Sequence, residues 1–263
     1  MRKFIFVWGW IFLAFSLAGA QKPVAAKAIQ LFQGKNPATF ALFNPAIEAK
    51  EEIKPYLRNA RSMTIRPEIL QQLRQADQGL IRLQLPTPLD IQLDLYRSNV
   101  FSEGAKIKTS DGRSFTPNPE HQFYRGIISG NPNSIAIVSV FEDRIQIVFS
   151  DQYGNKRIQQ SNDGQYLLYA DEDILIPKNL KCYTEETDGI SPIQDTSVSH
   201  NRTMTGNCVQ VYVECDFKSY QDNGNSIPNT EEWVAELWNE VIALYENEDI
   251  PVEVSDILVY TSA

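Results

Sequence analysis

Two histidines and three cysteines are the only nitrogen and sulfur side-chain ligands of the usual metal-site kind in this 263-residue chain. His121 is followed by Gln122 and His200 by Asn201. Neither stands in His-Glu-x-x-His, the helical spacing at which two imidazoles hold zinc while the glutamate handles a water proton. A catalytic zinc site of three protein ligands cannot be assembled from them, and both read as solvent-facing or turn histidines. No Gly-x-Ser-x-Gly elbow supports a Ser-His-acid triad. Neither a Walker loop nor Gly-x-Gly-x-x-Gly occurs, which leaves nucleotide binding without support. The cysteines are Cys182, Cys208 and Cys215, an odd count that leaves one free thiol or a partner outside the chain. Cys208 and Cys215 lie on one predicted strand, where the rise of about 3.3 Å per residue separates their Cα atoms by about 23 Å. A disulfide requires under about 7 Å, so these two do not pair. Cys182 and Cys208 remain candidates for a disulfide, and Cys215 falls on the apolar face, where burial is expected. Asn201-Arg-Thr203 is a glycosylation sequon.

The elements that would position these residues fall into two groups. Residues 21 to about 60 are poorly periodic, with Ala46 to Arg58 compatible with a short helix broken near Pro55. Arg66-Pro67 opens a helix with Ile69, Leu70 and Leu73 on one side. From Leu80 to Tyr169 the period is two. Leu80–Leu85 and Asp90–Tyr96 alternate as half-buried strands do, and Ile107–Phe115 carries Asp111-Gly112 as a hairpin turn. Gln122–Ser129, Ser134–Phe141, Arg144–Ser150, Lys156–Gln160 and Gln165–Tyr169 complete an even succession that predicts an antiparallel sandwich or open barrel. Thr184 to Gly206 is rich in Ser, Thr, Asp, Asn and Gly and reads as an exposed linker. Beyond it the pattern is strand, loop, helix, strand. Val209, Val211, Val213 and Cys215 share a face. Asn229 is the expected N-cap with Glu232 in the capping-box position. Trp233, Val234, Leu237, Trp238, Val241, Leu244 and Tyr245 have helical spacing. Ile250-Pro251 stops the helix, and the strand from Val252 to Thr261 is expected to lie parallel to the first through a right-handed crossover.

The fold class is therefore α+β: a β-rich antiparallel module over 21–178, a linker over 179–206, and an incomplete α/β strand–helix–strand unit over 207–263. Two strands and one helix leave the face of Val209, Val211 and Val213 half uncovered. Met1 to Ala20 has a charged start at Arg2-Lys3, an apolar run from Phe4 to Leu17 and a small-x-small site at Ala18-Gly-Ala20. It reads as a secretion signal, its run being short for a span of about 20 residues. The product is thus expected to be exported, without a membrane anchor. The formal charge of −9 disfavours nucleic acid and anionic membranes as partners.

Two stretches carry a family likeness. Val211-Tyr-Val-Glu-Cys-Asp-Phe-Lys-Ser-Tyr220, the Trp233–Tyr245 helix and Ile257-Leu-Val-Tyr-Thr-Ser262 resemble the opening of the catalytic domain of reprolysin (adamalysin-like) zinc metallopeptidases, a branch of the metzincins. His121-Gln-Phe-Tyr-Arg-Gly-Ile-Ile-Ser-Gly130, followed by Asn131-Pro-Asn-Ser134, resembles their β-rich prodomain. Gly126 and Gly130 are read as allowing close or left-handed backbone, and Ser134 as bonding its own turn. The resemblance implies a precursor of a secreted peptidase acting on protein or peptide substrates, in which zinc polarises the peptide carbonyl and a Glu deprotonates bound water. It places those ligands on a later His-Glu-x-x-His-x-x-Gly-x-x-His helix that this sequence does not contain, so this chain is expected to be inactive alone. It also makes Cys182, in Pro177-Lys-Asn-Leu-Lys-Cys182, a candidate thiolate ligand that keeps the zinc latent. At the position of the family's calcium-binding Glu this chain has Gln210, which leaves calcium doubtful. Lys181 and Arg202 are candidate sites for release of the prodomain. A non-enzymatic secreted protein, acting as inhibitor or binding module, is the competing reading.

Overall fold

The computed structural model describes residues 22–76, 78–86, 88–161, 163–175 and 208–262. In chain order the elements are α1 (Pro23–Phe32), β1 (Thr39–Phe40), β2 (Ile47–Glu48), β3 (Arg61–Met63), α2 (Pro67–Gln75), β4 (Leu80–Gln84), β5 (Gln92–Ser98), β6 (Phe101–Thr109), β7 (Ser114–Phe115), β8 (Gln122–Ile128), β9 (Ile135–Val140), β10 (Ile145–Asp151), β11 (Gly154–Gln160), β12 (Tyr166–Ala170), β13 (Val209–Cys215), α3 (Phe217–Asp222), α4 (Ile227–Glu246) and β14 (Val252–Val259). The class is mixed α+β with strands dominant.

Period-two apolar residues on β4, β5 and β8 to β12 make one sheet of ten strands, in the order β1-β4-β5-β8-β9-β10-β11-β12-β3-β2. Every pairing is antiparallel except β1 with β4. The sheet curls until its ends meet. Phe43, just after β1, bridges Ile65, just after β3, and the Arg66 amide donates to the Leu42 carbonyl at 2.7 Å. The concave face holds the main core, in which Leu83, Leu93, Leu95, Tyr124, Val138, Ile147 and Tyr166 are closed off by Leu70 and Leu73 of α2. Pro67 starts α2, where its missing N–H costs nothing. Gly126 permits the β5–β8 pairing, since a Cβ there would stand 1.9 Å from the Asp94 carbonyl oxygen. Gly130 has φ +78°, and Ser134 Oγ accepts from the Ile128 amide and donates to the Asn131 carbonyl, closing its own turn.

The second sheet has the order β13-β14-β6-β7. β13 and β14 are parallel across the α4 crossover, as expected. Their neighbour was not foreseen: β6, from the N-terminal module, runs parallel along the other edge of β14. The expectation that the C-terminal sheet stands without a neighbour is corrected on that side. Val100, Ile107, Phe123 and Phe141 form one core with Cys215, Val234, Ile242, Val254, Ile257 and Val259. Burying these apolar groups supplies the stabilisation that two strands and a helix lack by themselves.

Other local expectations also change. Ala46–Arg58 is not helical apart from a 3-10 turn at Glu51–Ile53. The poorly periodic start contains α1, whose Val24, Ala25, Ala28 and Phe32 are buried. α4 is capped by Ser226, whose hydroxyl accepts from the Asn229 amide at 3.3 Å, and Asn229 itself lies in the first turn. No helix among the described residues is long and apolar enough to cross a membrane.

Candidate functional site

The site that the fold assembles lies where α4 crosses the convex face of the ten-stranded sheet. On β8 to β11 the concave positions are apolar, so side chains at the alternate positions point outward. Those outward positions carry Arg125, Ser139, Gln146 and Arg157, with His121 and Arg144 in the flanking turns. The 20-residue α4 presents Glu232, Glu236 and Glu240 at four-residue spacing, with Asn239 and Glu246 on adjoining rows. Every outward cation meets a helix acid. Arg144 donates to Glu232 at 3.0 Å and to Glu236 at 2.6 Å. Arg157 holds Glu240 by two bonds of 2.9 and 3.0 Å. Gln146 Nε2 donates to Glu240 Oε1 at 3.1 Å. Arg125 donates to Glu246 at 2.9 Å, to the Asn99 carbonyl at 3.0 Å and to Asn239 Oδ1 at 3.2 Å. Asn239 is fully buried and donates to the Val138 carbonyl and to Ser139 Oγ.

His121 closes one end of this clasp. It is 7 % exposed, which corrects the solvent-facing reading. Its ring packs edge-on against Phe141 at 4.9 Å, and Arg144 covers that phenyl ring at 4.2 Å. Nδ1 is 3.4 Å from Glu231 Oε1 and Nε2 is 3.6 Å from Glu232 Oε1. Glu231 Oε1 already accepts the Asn118 amide at 2.7 Å, and His121 Nδ1 has no aligned hydrogen-bond partner. Burial alone would lower the histidine's pKa, but the two carboxylates outweigh it and raise it to about 9, so the ring is cationic at neutral pH. The acids show the same contest. Burial pushes Glu232 up, yet His121 and Arg144 hold it below the ordinary range. Glu246 is held down by Arg125 and Lys27 against its burial. For Glu236 burial prevails and its pKa is raised.

This arrangement binds protons and holds surfaces in register. It presents no nucleophile beside a base. It offers zinc a single imidazole, and the neighbouring carboxylates Glu231 and Glu232 are already engaged by the Asn118 amide and by Arg144. Among the described residues no group of three or more His, Cys, Asp or Glu could hold a metal ion.

Of the residues singled out from the sequence, Cys182, Asn201 and His200, with Lys181 and Arg202, lie outside the described residues. The proposed Cys182–Cys208 bridge therefore does too. Cys208 is partly exposed, bonded to no other cysteine among the described residues, in a groove of about 370 Å³ that also includes Arg97, Arg125, Glu246 and Glu253. Cys215 is buried and free, as its apolar face implied, and burial pushes its thiol up to about 11. Gln210 is exposed on β13, one step across from Glu253. The clasp residues escaped sequence reasoning. The available signal was the run of Glu232, Glu236 and Glu240 along one helix row, matched by Arg125 and Arg157 at outward strand positions and Arg144 in a turn.

α4 has one further feature. Trp233, Leu237, Leu244 and Tyr245, which periodicity assigned to a buried face, are 41 to 60 % exposed. The helix turns its carboxylates inward because they meet arginines there, buries Val234, Ile242 and Trp238 in the shared core, and leaves these four side chains outward. No protein-family model and no curated protein matches this chain.

Proposed function

We propose that this chain is part of the precursor of a secreted zinc-dependent metalloendopeptidase. Residues 22–175 act as the β-rich prodomain, and residues 208–262 begin the catalytic domain. The observation that carries this reading is the C-terminal unit itself. It is a parallel strand–helix–strand with right-sized elements, and two of its packing surfaces remain open. Among the described residues β13 pairs on one side only, and the outward stripe of α4 exposes Trp233, Leu237, Leu244 and Tyr245. An open strand edge beside an exposed apolar helix stripe is what a larger α/β domain covers with further strands and helices. The prodomain role rests on β6 and the acid–base clasp, through which the N-terminal module grips the first elements of the enzyme. In this reading the zinc ligands and the hydrolytic step lie on a His-Glu-x-x-His-x-x-Gly-x-x-His helix that this sequence does not contain.

The test is the reading frame beyond Ala263 and its product. A downstream His-Glu-x-x-His-x-x-Gly-x-x-His, with casein hydrolysis by the extended protein that a zinc chelator abolishes, supports the proposal. A stop codon directly after Ala263 overturns it. That second outcome would favour a secreted, non-enzymatic inhibitor or binding module. One observation speaks for it: β6 covers the inner edge of β14 and joins a shared core, so the C-terminal unit already has a packed interior.

A further inference from the structure

β5 and β8 are neighbours in the large sheet, yet the chain does not pass directly from one to the other. It leaves β5 at Ser98, resumes as β6 at Phe101, turns at Asp111-Gly112 and returns through β7. The β6–β7 hairpin is thus a finger projecting from the N-terminal module. Its own ladder has two paired positions, Ile107 with Phe115 and Lys108 with Ser114, and a two-stranded ribbon of that kind is marginal alone. Most of its pairing goes elsewhere. Five positions of β6 register with β14. The Val254 amide donates to the Val100 carbonyl at 2.9 Å and the Ser110 amide to the Val259 carbonyl at 3.0 Å. Asp256 accepts from the Lys106 amide and the Lys108 ammonium, each at 2.9 Å.

We infer that the N-terminal module carries a strand-donating docking surface whose partner is a strand–helix–strand unit of the kind this chain supplies at 208–262, and that the two pieces stay bound as a 1:1 complex once the chain is cut between residues 176 and 207. Three features of the surface define the partner. β6 offers backbone groups to a parallel strand edge. Val100, Ile107, Phe123 and Phe141 fill that unit's core from outside. Arg144, Gln146 and Arg157 read a helix with carboxylates at four-residue spacing. None of the three depends on chain connection. Cutting the linker therefore does not by itself release the C-terminal unit, and a module freed later can recapture one. The inference makes no use of the protease reading.

The experiment places a sequence-specific protease site between residues 185 and 200 of the full chain, cuts it under reducing conditions so that no Cys182–Cys208 bridge can join the pieces, and follows them by size-exclusion chromatography and native mass spectrometry at about 1 µM in about 0.15 M salt. Co-elution as a 1:1 complex is expected. Arg157→Glu should raise the dissociation constant at least tenfold, and adding Glu240→Arg should restore most of the loss. Ile107→Asp, at a position outside the ten-stranded sheet, should raise it by about a hundredfold or more. Separation of the unmodified pieces at that concentration would overturn the inference, as would a complex indifferent to both Arg157→Glu and Ile107→Asp. Either result would remove the grip on which the prodomain role rests but leave the peptidase reading of residues 208–262 to be decided by the downstream reading frame, whereas a stop codon after Ala263 would remove that reading and leave the complex intact.

Discussion

His121 gives the clasp a measurable alkaline limit. Its ordinary pKa of 6.5 is raised to about 9 in the folded chain by Glu231 and Glu232, against the opposing effect of burial. A group raised on folding contributes stability that is complete below its unfolded value and vanishes as the pH climbs through its folded value. Linkage makes the contribution about 2–3 kcal/mol at pH 6.5 to 7 and less than about 1 kcal/mol by pH 9. The perturbation is His121→Gln, which keeps a donor beside the carboxylates but carries no charge. Urea unfolding can be followed by the fluorescence of Trp233 and Trp238, both on α4. Comparing the two proteins at each pH cancels the titration of groups they share. The wild type should exceed the variant by about 2–3 kcal/mol at pH 6.5, and the gap should shrink to under about 1 kcal/mol at pH 9.5. A gap of equal size at both pH values would show that His121 acts through ring packing on Phe141 and refute the charge argument. Acid probes the other partners. Glu232 and Glu246 are held below their ordinary value of 4.5, so their contributions are present above that value and fade as the pH falls through the folded ones. Glu236, raised by burial, offsets part of that loss.

Further expectations follow from single contacts. Asn239→Ala removes bonds to Val138, Ser139 and Arg125 and leaves the buried Arg125 Nε unpaired, a loss of about 3 kcal/mol by urea denaturation; an unchanged midpoint would show that Arg125 finds another acceptor. Gly126→Ala drives a methyl group against the Asp94 carbonyl, where backbone rather than a movable side chain must give way. The cost should be about 3 kcal/mol, read as a lower melting temperature with lost amide protection on β5 and β8. Iodoacetamide at pH 8 should alkylate Cys208 in the folded chain and Cys215 only with denaturant, because the latter is 2 % exposed and its thiol is raised to about 11. Mass spectrometry showing equal modification of both would place Cys215 outside the core.

What the sequence disclosed follows from the range of the forces involved. Alternation located β4, β5 and β8 to β12, because each strand buries one face against the same concave core. Asp111-Gly112 located the hairpin turn, and Pro67 the start of α2. The parallel β13–α4–β14 crossover was legible from helical spacing between two strands. Pairing partners were less visible. β6 alternates as any half-buried strand does, and nothing in its residues says that its ladder belongs to β14, about 150 positions along the chain. α1 escaped because Val24, Ala25 and Ala28 are too small to mark an apolar stripe among the neighbouring alanines. Its burial depends on Tyr96 and Ile127 from distant strands. His121 was misjudged for the same reason: its partners are on α4, over a hundred residues away.

The orientation of α4 carries the most information about how the two halves relate. A helix with Trp233, Leu237, Leu244 and Tyr245 available could have buried them against the large sheet, and apolar contact would have been the cheaper bond. Partly buried ion pairs must first overcome desolvation, and their net contribution is often small. What they supply is discrimination. An apolar helix face slides over an apolar sheet at little cost, whereas Arg144 between Glu232 and Glu236, and Arg157 in the fork of Glu240, are satisfied in one register only. A shift of one helical turn would leave a carboxylate without its cation at one end and an arginine alone at the other. The same register sets β14 beside β6, where Asp256 meets Lys106 and Lys108. The inward side of α4 thus pairs its carboxylates with this module's arginines and packs Val234, Trp238 and Ile242 into the shared core, while Trp233, Leu237, Leu244 and Tyr245 stay exposed.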